Sequence, residues 1–444
     1  MPGTRMILAL MLGLVTAPAA ALPPGFAIQE IHSGLNFPTA LRFTPDGRLF
    51  YTERSGRIMM FESAFSPAPQ VWASVPVVTS GERGLLGLTI HPDFPDSPYV
   101  YVYHTNPSPL VGRVVRLTDQ GGVGVNYTIV MNDLPASQPF HVGGRLEFGP
   151  DGMLYVSVGE QTSDGAQDPG TLNGKILRVT PLGQPGPGKP FGSSNPVFVY
   201  GVRNSFGVTF DPTTQAGYFT DPGPSCDDEI NYLSAGANYG WGPNEFCGGE
   251  PAGTTPPMVR FDSGSLTPVG CCVYRGNAYP AHFDGNLFVA TFSASTLYRL
   301  KFAPLTVNQV DSLEVFAQTG PEMLDVTLGP DGQLWLSTVD AIHRIVAAGN
   351  VGVGTGPGMA TLAAAPNPFH DRLWLRLGRL PDDARLEILD VQGRVIRRWF
   401  GPLPASLLWN GNAADGRPVP AGIYIVRARA RALELTRTVL RITR

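Results

Sequence analysis

Over the first three-quarters of the chain one arrangement of apolar and polar positions recurs: a turn such as Pro-Asp-Gly, a short apolar strand, a polar break, and a second strand containing or ending near Arg. Its six copies read Phe43-Thr-Pro-Asp-Gly-Arg-Leu-Phe-Tyr-Thr, Ile90-His-Pro-Asp-Phe, Phe148-Gly-Pro-Asp-Gly-Met-Leu-Tyr-Val-Ser, Phe210-Asp-Pro, Phe283-Asp-Gly-Asn-Leu-Phe-Val-Ala and Leu328-Gly-Pro-Asp-Gly-Gln-Leu-Trp-Leu-Ser. Second strands show in Gly56-Arg-Ile-Met-Met-Phe, Gly112-Arg-Val-Val-Arg-Leu, Gly174-Lys-Ile-Leu-Arg-Val, Thr296-Leu-Tyr-Arg-Leu and Ala341-Ile-His-Arg-Ile. Spacings of about 45 to 73 residues fit one four-stranded sheet per copy, and radial repetition of such sheets protects their edges. The pattern predicts an all-β fold with a six-bladed β-propeller, closed where Phe26-Ala-Ile-Gln-Glu-Ile-His pairs into the last blade. A sandwich does not account for it, because sandwich strands recur roughly every 8–12 residues without so long a super-period.

The pattern changes after Ile345. Gly349-Asn-Val-Gly-Val-Gly-Thr-Gly-Pro-Gly cannot bury surface and reads as a flexible linker. Beyond it, Leu373-Trp-Leu-Arg-Leu, Arg385-Leu-Glu-Ile-Leu and Ile423-Tyr-Ile-Val-Arg-Ala are short strands between Gly and Asp turns, as in a small immunoglobulin-like β-sandwich. At the other end, Arg5 precedes the apolar run 6–15 and then Ala19-Ala20-Ala21, the layout of a cleaved signal peptide. A run of ten residues is shorter than the roughly 20 that a membrane span needs. The expected organisation is a signal peptide over 1–21, a propeller over 22–348, a Gly-rich linker over 349–364 and a sandwich module over 365–444. The expected location is secreted, periplasmic or at a bacterial cell surface.

Composition agrees with this division. Fifty-three Gly and 43 Pro in 444 residues favour turn-rich β structure over helix bundles. A net charge of −4 provides no basic footprint for a nucleic acid. The charge is unevenly shared: from Pro366 onward there are 14 Arg, no Lys and 7 acids, a net +7, which leaves −11 on residues 1–365. An acidic body with a basic tail reads as two domains of different purpose.

All four cysteines lie between Cys226 and Cys272, and an even number in an exported chain implies disulfides. Three pairings are possible. The expected one is Cys226 with Cys247 and a strained vicinal Cys271–Cys272 bridge. A zinc site is the rival reading, weakened by the absence of a CxxC pair or a nearby His cluster.

Several motifs occur in order: Gly84-Leu-Leu-Gly-Leu-Thr-Ile-His-Pro-Asp-Phe, His141-Val-Gly-Gly-Arg-Leu-Glu-Phe-Gly-Pro-Asp-Gly, Gly174-Lys-Ile-Leu-Arg-Val, Gly201-Val-Arg-Asn-Ser-Phe-Gly-Val-Thr-Phe, and Asp227-Asp-Glu-Ile-Asn followed by Asn238-Tyr-Gly-Trp. Over about residues 27–346 they resemble the soluble glucose/sorbosone dehydrogenase family. The resemblance implies a propeller, export, calcium, and oxidation of a small-molecule sugar by pyrroloquinoline quinone (PQQ). His141 then matches the catalytic base, and an imidazole, with an ordinary pKa of about 6.5, suits proton removal at physiological pH. Glu160 stands where the family has an Asp that orients this base. Arg203 and Asn204 match the pair beside the quinone, the guanidinium stabilising charge delivered with the hydride. Gly223 and Pro224 match a loop whose carbonyls hold the active-site calcium, and Glu229 and Tyr239 a neighbouring structural calcium site.

The sequence also departs from that pattern. Pro222 replaces a cofactor-contacting Gln, Ser293 a Lys, Glu322 and Leu324 two Arg, and Glu82 a sugar-contacting Gln. A tricarboxylate cofactor without those partners loses charge-assisted bonds. The expectation is therefore a secreted, calcium-dependent quinoprotein that oxidises an aldose. Its alternative is a propeller of the same descent that binds a carbohydrate or a protein without redox chemistry. The tail resembles hook-capping and secretion-sorting modules through Ala365-Pro-Asn-Pro-Phe, Asp390-Val-Gln-Gly-Arg, Trp409-Asn-Gly and Pro420-Ala-Gly-Ile-Tyr. That likeness implies a partner in cell-surface or secretion machinery.

Overall fold

In the computed structural model the described residues are 22–188, 190–242, 247, 251–262, 264–347, 362–365, 369–377, 380, 383–401, 403–404, 406–430 and 433–442. The expected signal peptide and nearly all of the Gly-rich linker lie outside them. Between residues 26 and 347 the described strands form six antiparallel sheets of four. Their first strands are Pro38–Phe43, Leu85–Ile90, Gly143–Phe148, Gly207–Phe210, Pro268–Val273 and Met323–Leu328. Each of these packs against the first strand of the next sheet, and the last packs against the first. The ring so closed is a β-propeller. Phe26–Ser33 pairs with Ala341–Ala347, so the N-terminal strand completes the sheet of the C-terminal end of the ring.

The repeated turn explains why the first two strands of a sheet fold back on each other. In Pro45-Asp46-Gly47, Pro150-Asp151-Gly152 and Pro330-Asp331-Gly332 the glycine takes φ values of +79°, +72° and +74°. Its N–H closes the turn on the carbonyl of Thr44, Gly149 or Gly329, at 2.8 to 3.0 Å. Proline presets the entering φ and glycine accepts the left-handed exit. The second strands, such as Leu49–Glu53, Leu154–Val158 and Leu334–Thr338, are buried at every position because a neighbouring sheet covers each face.

At the centre of the ring, the wholly buried Asp325 carboxylate accepts from the Leu41 N–H at 2.9 Å, Arg42 Nη1 at 3.1 Å and Arg145 Nη2 at 2.6 Å. Arg42 also bonds Glu147. The charges cross from the first inner strand to the third and the sixth.

The vicinal disulfide expected at Cys271–Cys272 is not formed; both thiols are free and buried. They are consecutive in Pro268–Val273, opposite Val289 and Phe288, so they project to opposite faces of the sheet. Cys271 packs beside Leu287 and Cys272 beside Phe288 in separate cores. Cys226 and Cys247 are bonded as expected.

The tail forms a three-stranded sheet of Leu362–Ala365, Leu373–Leu377 and Ser406–Trp409, and a four-stranded sheet of Val395–Phe400, Arg385–Asp390, Gly422–Ala430 and Leu433–Arg441. Leu375, Leu386, Ile388, Trp409 and Val426 share one core between them. Arg372 reaches Asp96 of the body at 2.6 Å, with both side chains exposed. No helix among the described residues is long and apolar enough to cross a membrane.

His104 is fully buried between the Pro76 carbonyl and the Tyr127 hydroxyl, each at 2.9 Å. Burial pushes its pKa from 6.5 down to about 4; the Pro76 bond opposes this and Arg113 adds to it. Between these two values the unfolded chain binds the proton that the folded chain refuses, so stability is full above pH 6.5 and falls as the pH drops towards 4. The linked loss is about 3 kcal/mol. Melting temperature measured from pH 7 to 4 should fall, and His104→Gln should flatten that fall; an identical slope in the variant would remove His104 as a source.

Candidate active site

Connections that lead into the inner strands meet at one end of the ring. His141 stands just ahead of Gly143–Phe148, Glu82 ahead of Leu85–Ile90, and Arg203 with Asn204 ahead of Gly207–Phe210. Glu160 follows the neighbouring strand Leu154–Val158. Residues far apart in sequence thus converge because each sits where its sheet turns at the same end.

His141 is held in the left-handed region at φ +56°, uncommon for a residue with a side chain. Its N–H donates to Glu82 Oε2 at 2.7 Å, and its carbonyl accepts from Gln161 Nε2 at 2.7 Å. The ring lies between two charged partners: Nδ1 bonds Glu160 Oε1, and Nε2 faces Arg203 Nη2 at 2.8 Å. A carboxylate can only accept and a guanidinium can only donate. Nδ1 therefore carries the proton and Nε2 the lone pair, which is the tautomer a general base needs. The side chain is 16% exposed, so the ring is reachable. Glu160 is itself buried, with its second oxygen accepting from the Ser163 N–H at 2.6 Å. Its extra methylene has not cost it the imidazole.

Arg203 donates from Nη1 to the Pro222 carbonyl at 2.8 Å and lies 5.2 Å from the centre of the Trp241 ring. Its buried Nε has no hydrogen-bond partner among the described residues. The backbone N–H groups of Arg203 and Asn204 donate to the two oxygens of Asp221, at 2.7 and 2.6 Å. Asn204 in turn accepts from the Gly143 N–H at 3.0 Å and donates to Glu82 at 3.0 Å. Burial pushes the Asp221 carboxyl up to about 6, while the Asn204 and Arg203 N–H bonds and the Arg203 charge pull it back.

Beside Arg203 is a small pocket whose wall includes Asp221, Gly223, Asp227, Glu229, Tyr239 and Trp241. Carboxylates and the main chain of the 222–223 turn supply oxygen, the donor type that a hard cation such as calcium prefers. Gly223 cannot be replaced without movement: a Cβ there would lie 1.8 Å from the Cys226 carbonyl oxygen. The Cys226–Cys247 bond anchors this turn. It also takes both sulfurs of the cluster Cys226, Asp227 and Cys247 out of metal chemistry as thiolates.

Not every expected residue joins the wall. Pro224 is exposed and outside it. Tyr239 contributes its body, while its hydroxyl donates to the Tyr232 carbonyl and accepts from the Ser234 N–H at 3.0 Å. Glu229 accepts from Asn231 Nδ2 at 3.0 Å. Of the departing positions, Pro222 lines the pocket, Ser293 is exposed and bonds Thr267 at 2.7 Å, and Glu322 and Leu324 are half-buried.

A model described as glucose/sorbosone dehydrogenase matches residues 35–346. The chain belongs to the glucose/sorbosone dehydrogenase family. The aldose sugar dehydrogenase YliI of Escherichia coli is 28% identical over 357 residues, spanning 73% of this chain and 93% of that protein. Quinoprotein glucose dehydrogenase B of Acinetobacter calcoaceticus is 30% identical over 261 residues, half of this chain and 54% of the other. Among solved structures, the PQQ-bound aldose sugar dehydrogenase of Streptomyces coelicolor is 30% identical, with a TM-score of 0.63 over 73% of this chain and 99% of that one.

For this glucose/sorbosone dehydrogenase family member, sequence reasoning passed over Asp221 and the role of Trp241. Asp221 adjoins Pro222-Gly223 but carries no motif of its own. Trp241 closes the motif Asn238-Tyr-Gly-Trp, yet only the fold shows that its ring lies against Arg203. Gly223→Ala should displace the 222–227 turn. Any stabilisation by added calcium, read as the difference in melting temperature with and without chelator, is expected to disappear; a difference kept at the wild-type value would show that the turn does not hold the ion.

Proposed function

We propose that the chain is an exported, calcium-dependent quinoprotein whose six sheets are the blades of a propeller and which oxidises an aldose with PQQ. The observation that carries this reading is the His141 imidazole, fixed by Glu160 on Nδ1 and turning its Nε2 lone pair to Arg203, beside an oxygen-lined pocket. The residues fit the groups the reading requires. The orphaned Nε and the face of Arg203 suit an anionic, flat guest, and Asn204 adds an amide. The Gly223 turn, with Asp227 and Glu229, suits calcium. When bound, PQQ supplies a two-electron acceptor for the hydride from the anomeric carbon, and calcium a Lewis acid.

The chain's own part is proton management and charge. A sugar hydroxyl entering beside His141 would take the place of Arg203 Nη2 on the Nε2 lone pair; as the proton arrives, Glu160 stabilises the imidazolium from Nδ1. Asp221 and Asn204 hold the Arg203 main chain, so the guanidinium is already in place when negative charge develops and little reorganisation is needed. Glu82 fixes the backbone of the base rather than leaving it to swing.

The substitutions at Pro222, Ser293, Glu322 and Leu324 remove cations and an amide from the carboxylate end of the cofactor, so holding it falls more heavily on Arg203, Asn204 and calcium. Export is supported by the leader-like residues 1–21 and by the Cys226–Cys247 bond, which suits an oxidising compartment. The basic tail, read as an immunoglobulin-like module, would serve attachment or sorting at the cell surface.

Purified protein given PQQ and calcium at micromolar concentration should retain the quinone, show its absorption and reduce a dye when offered aldoses. A chain that retains no quinone would overturn the dehydrogenase reading. Should turnover occur, His141→Ala should lower kcat by about 10²- to 10⁴-fold. Its calcium-dependent melting should stay as in the wild type, and unchanged turnover would remove His141 from the mechanism.

A further inference from the structure

Lys175 belongs to the motif Gly174-Lys-Ile-Leu-Arg-Val, yet the chemistry above gives it no part. It opens the strand Lys175–Val179 and is wholly buried. Its ammonium donates to the carbonyls of Gly165 at 2.9 Å and Ala166 at 2.9 Å, and to that of Asn173. Among the described residues no carboxylate pairs with it directly. Burial pushes its pKa down to about 8, with Asp168 opposing from a distance. A charge kept out of water at such a cost needs a compensating set of dipoles, and here the dipoles are all main-chain carbonyls of one loop.

That loop, residues 160–174, has one 3-10 turn, Asp164–Gln167, and no strand to order it. Gln161 and Thr162 sit at φ +61° and +51°, conformations that persist only where surrounding contacts enforce them. It also carries the second rank of the site. Glu160 reaches His141 from its start, and the Asn173 side chain donates back to the Glu160 carbonyl at 3.2 Å. Gln167 donates to the Trp241 carbonyl at 2.7 Å. The Ala166 carbonyl, besides accepting from Lys175, accepts from the Gly201 N–H at 2.9 Å, two residues ahead of Arg203.

We propose that Lys175 is the positioning residue of the site: by gathering the carbonyls of Gly165, Ala166 and Asn173 it fixes the loop that presents Glu160 to His141 and braces Trp241 and Arg203. The role in turnover rests on the dehydrogenase reading, but the loop and the imidazole can be observed without cofactor or sugar.

The test compares the full chain with Lys175→Met, which keeps the length and removes the charge. Two readouts are taken: amide hydrogen exchange over 160–174, and the downfield ring N–H resonance of His141, assigned by its loss in His141→Ala. Exchange in the loop should rise by about tenfold or more while Gly143–Phe148 stays protected, and the His141 resonance should broaden or vanish. Wild-type behaviour in both readouts would overturn the proposal. So would a loosened loop with the His141 signal intact, which would leave Lys175 a structural anchor only. If Lys175→Met does not fold, the wild-type chain decides: the loop should exchange about tenfold or more slowly than the exposed turn 304–309, and equal rates would overturn the proposal. A failed dye assay would count against the dehydrogenase reading and leave these two readouts standing.

Discussion

The buried Asp325 carboxylate ties the inner strands together. Its partners are Leu41 and Arg42 on the first inner strand and Arg145 on the third, so one anion fixes three strands from separate sheets at the ring's centre. Burying such charges costs several kcal/mol for each ion unless every partner is in place, which makes the arrangement intolerant of a slipped strand. Arg145 is four residues beyond His141 on the same segment. The central ion network therefore sets, through the strand it anchors, where the imidazole emerges at the end of the ring.

The residues of the candidate site are on connections rather than in strands, and a rigid scaffold with function on its loops is a common division of labour. What is particular here is how the loops are disciplined. His141, Gln161, Thr162 and Asp227 all adopt positive φ, and hydrogen bonds or ion pairs around them hold these segments in place. Asp221 and Lys175 are buried groups of opposite charge with parallel roles. Asp221 collects N–H groups from Arg203 and Asn204, while Lys175 collects carbonyls from the Glu160 loop. The His141 imidazole stands between these two segments.

Much of the scaffold was legible because its cause is local. Pro-Asp-Gly predicts a tight turn through proline's fixed φ and glycine's freedom, and three such turns close as expected. The strand at Phe26 was expected to close the ring by pairing into the last sheet, and it does so. His141, Glu160, Arg203 and Asn204 were found through their motifs, and the fold joins them in one hydrogen-bonded group. Pro224 was read with Gly223 as a pair, yet only the glycine, which needs the space a Cβ would fill, faces the pocket. The Cys271–Cys272 bridge failed for a geometric reason: proximity along the chain said nothing about side-chain direction, and a regular strand sends neighbours to opposite faces.

The sequence by itself determined the repeat, its turns, the strand character between them, the asymmetry of charge and the residues with reactive chemistry, since all of these follow from steric and solvation preferences within a few residues. The tertiary structure alone decided which polar groups are buried together. That the Lys175 ammonium meets only carbonyls among the described residues, that Asp221 serves the backbone of Arg203, and that Glu82 restrains the backbone of His141 depend on contacts across 2 to 59 residues of chain. Such contacts form only when the ring closes and water is removed, because a buried charge must take whatever partners the packed fold leaves within reach.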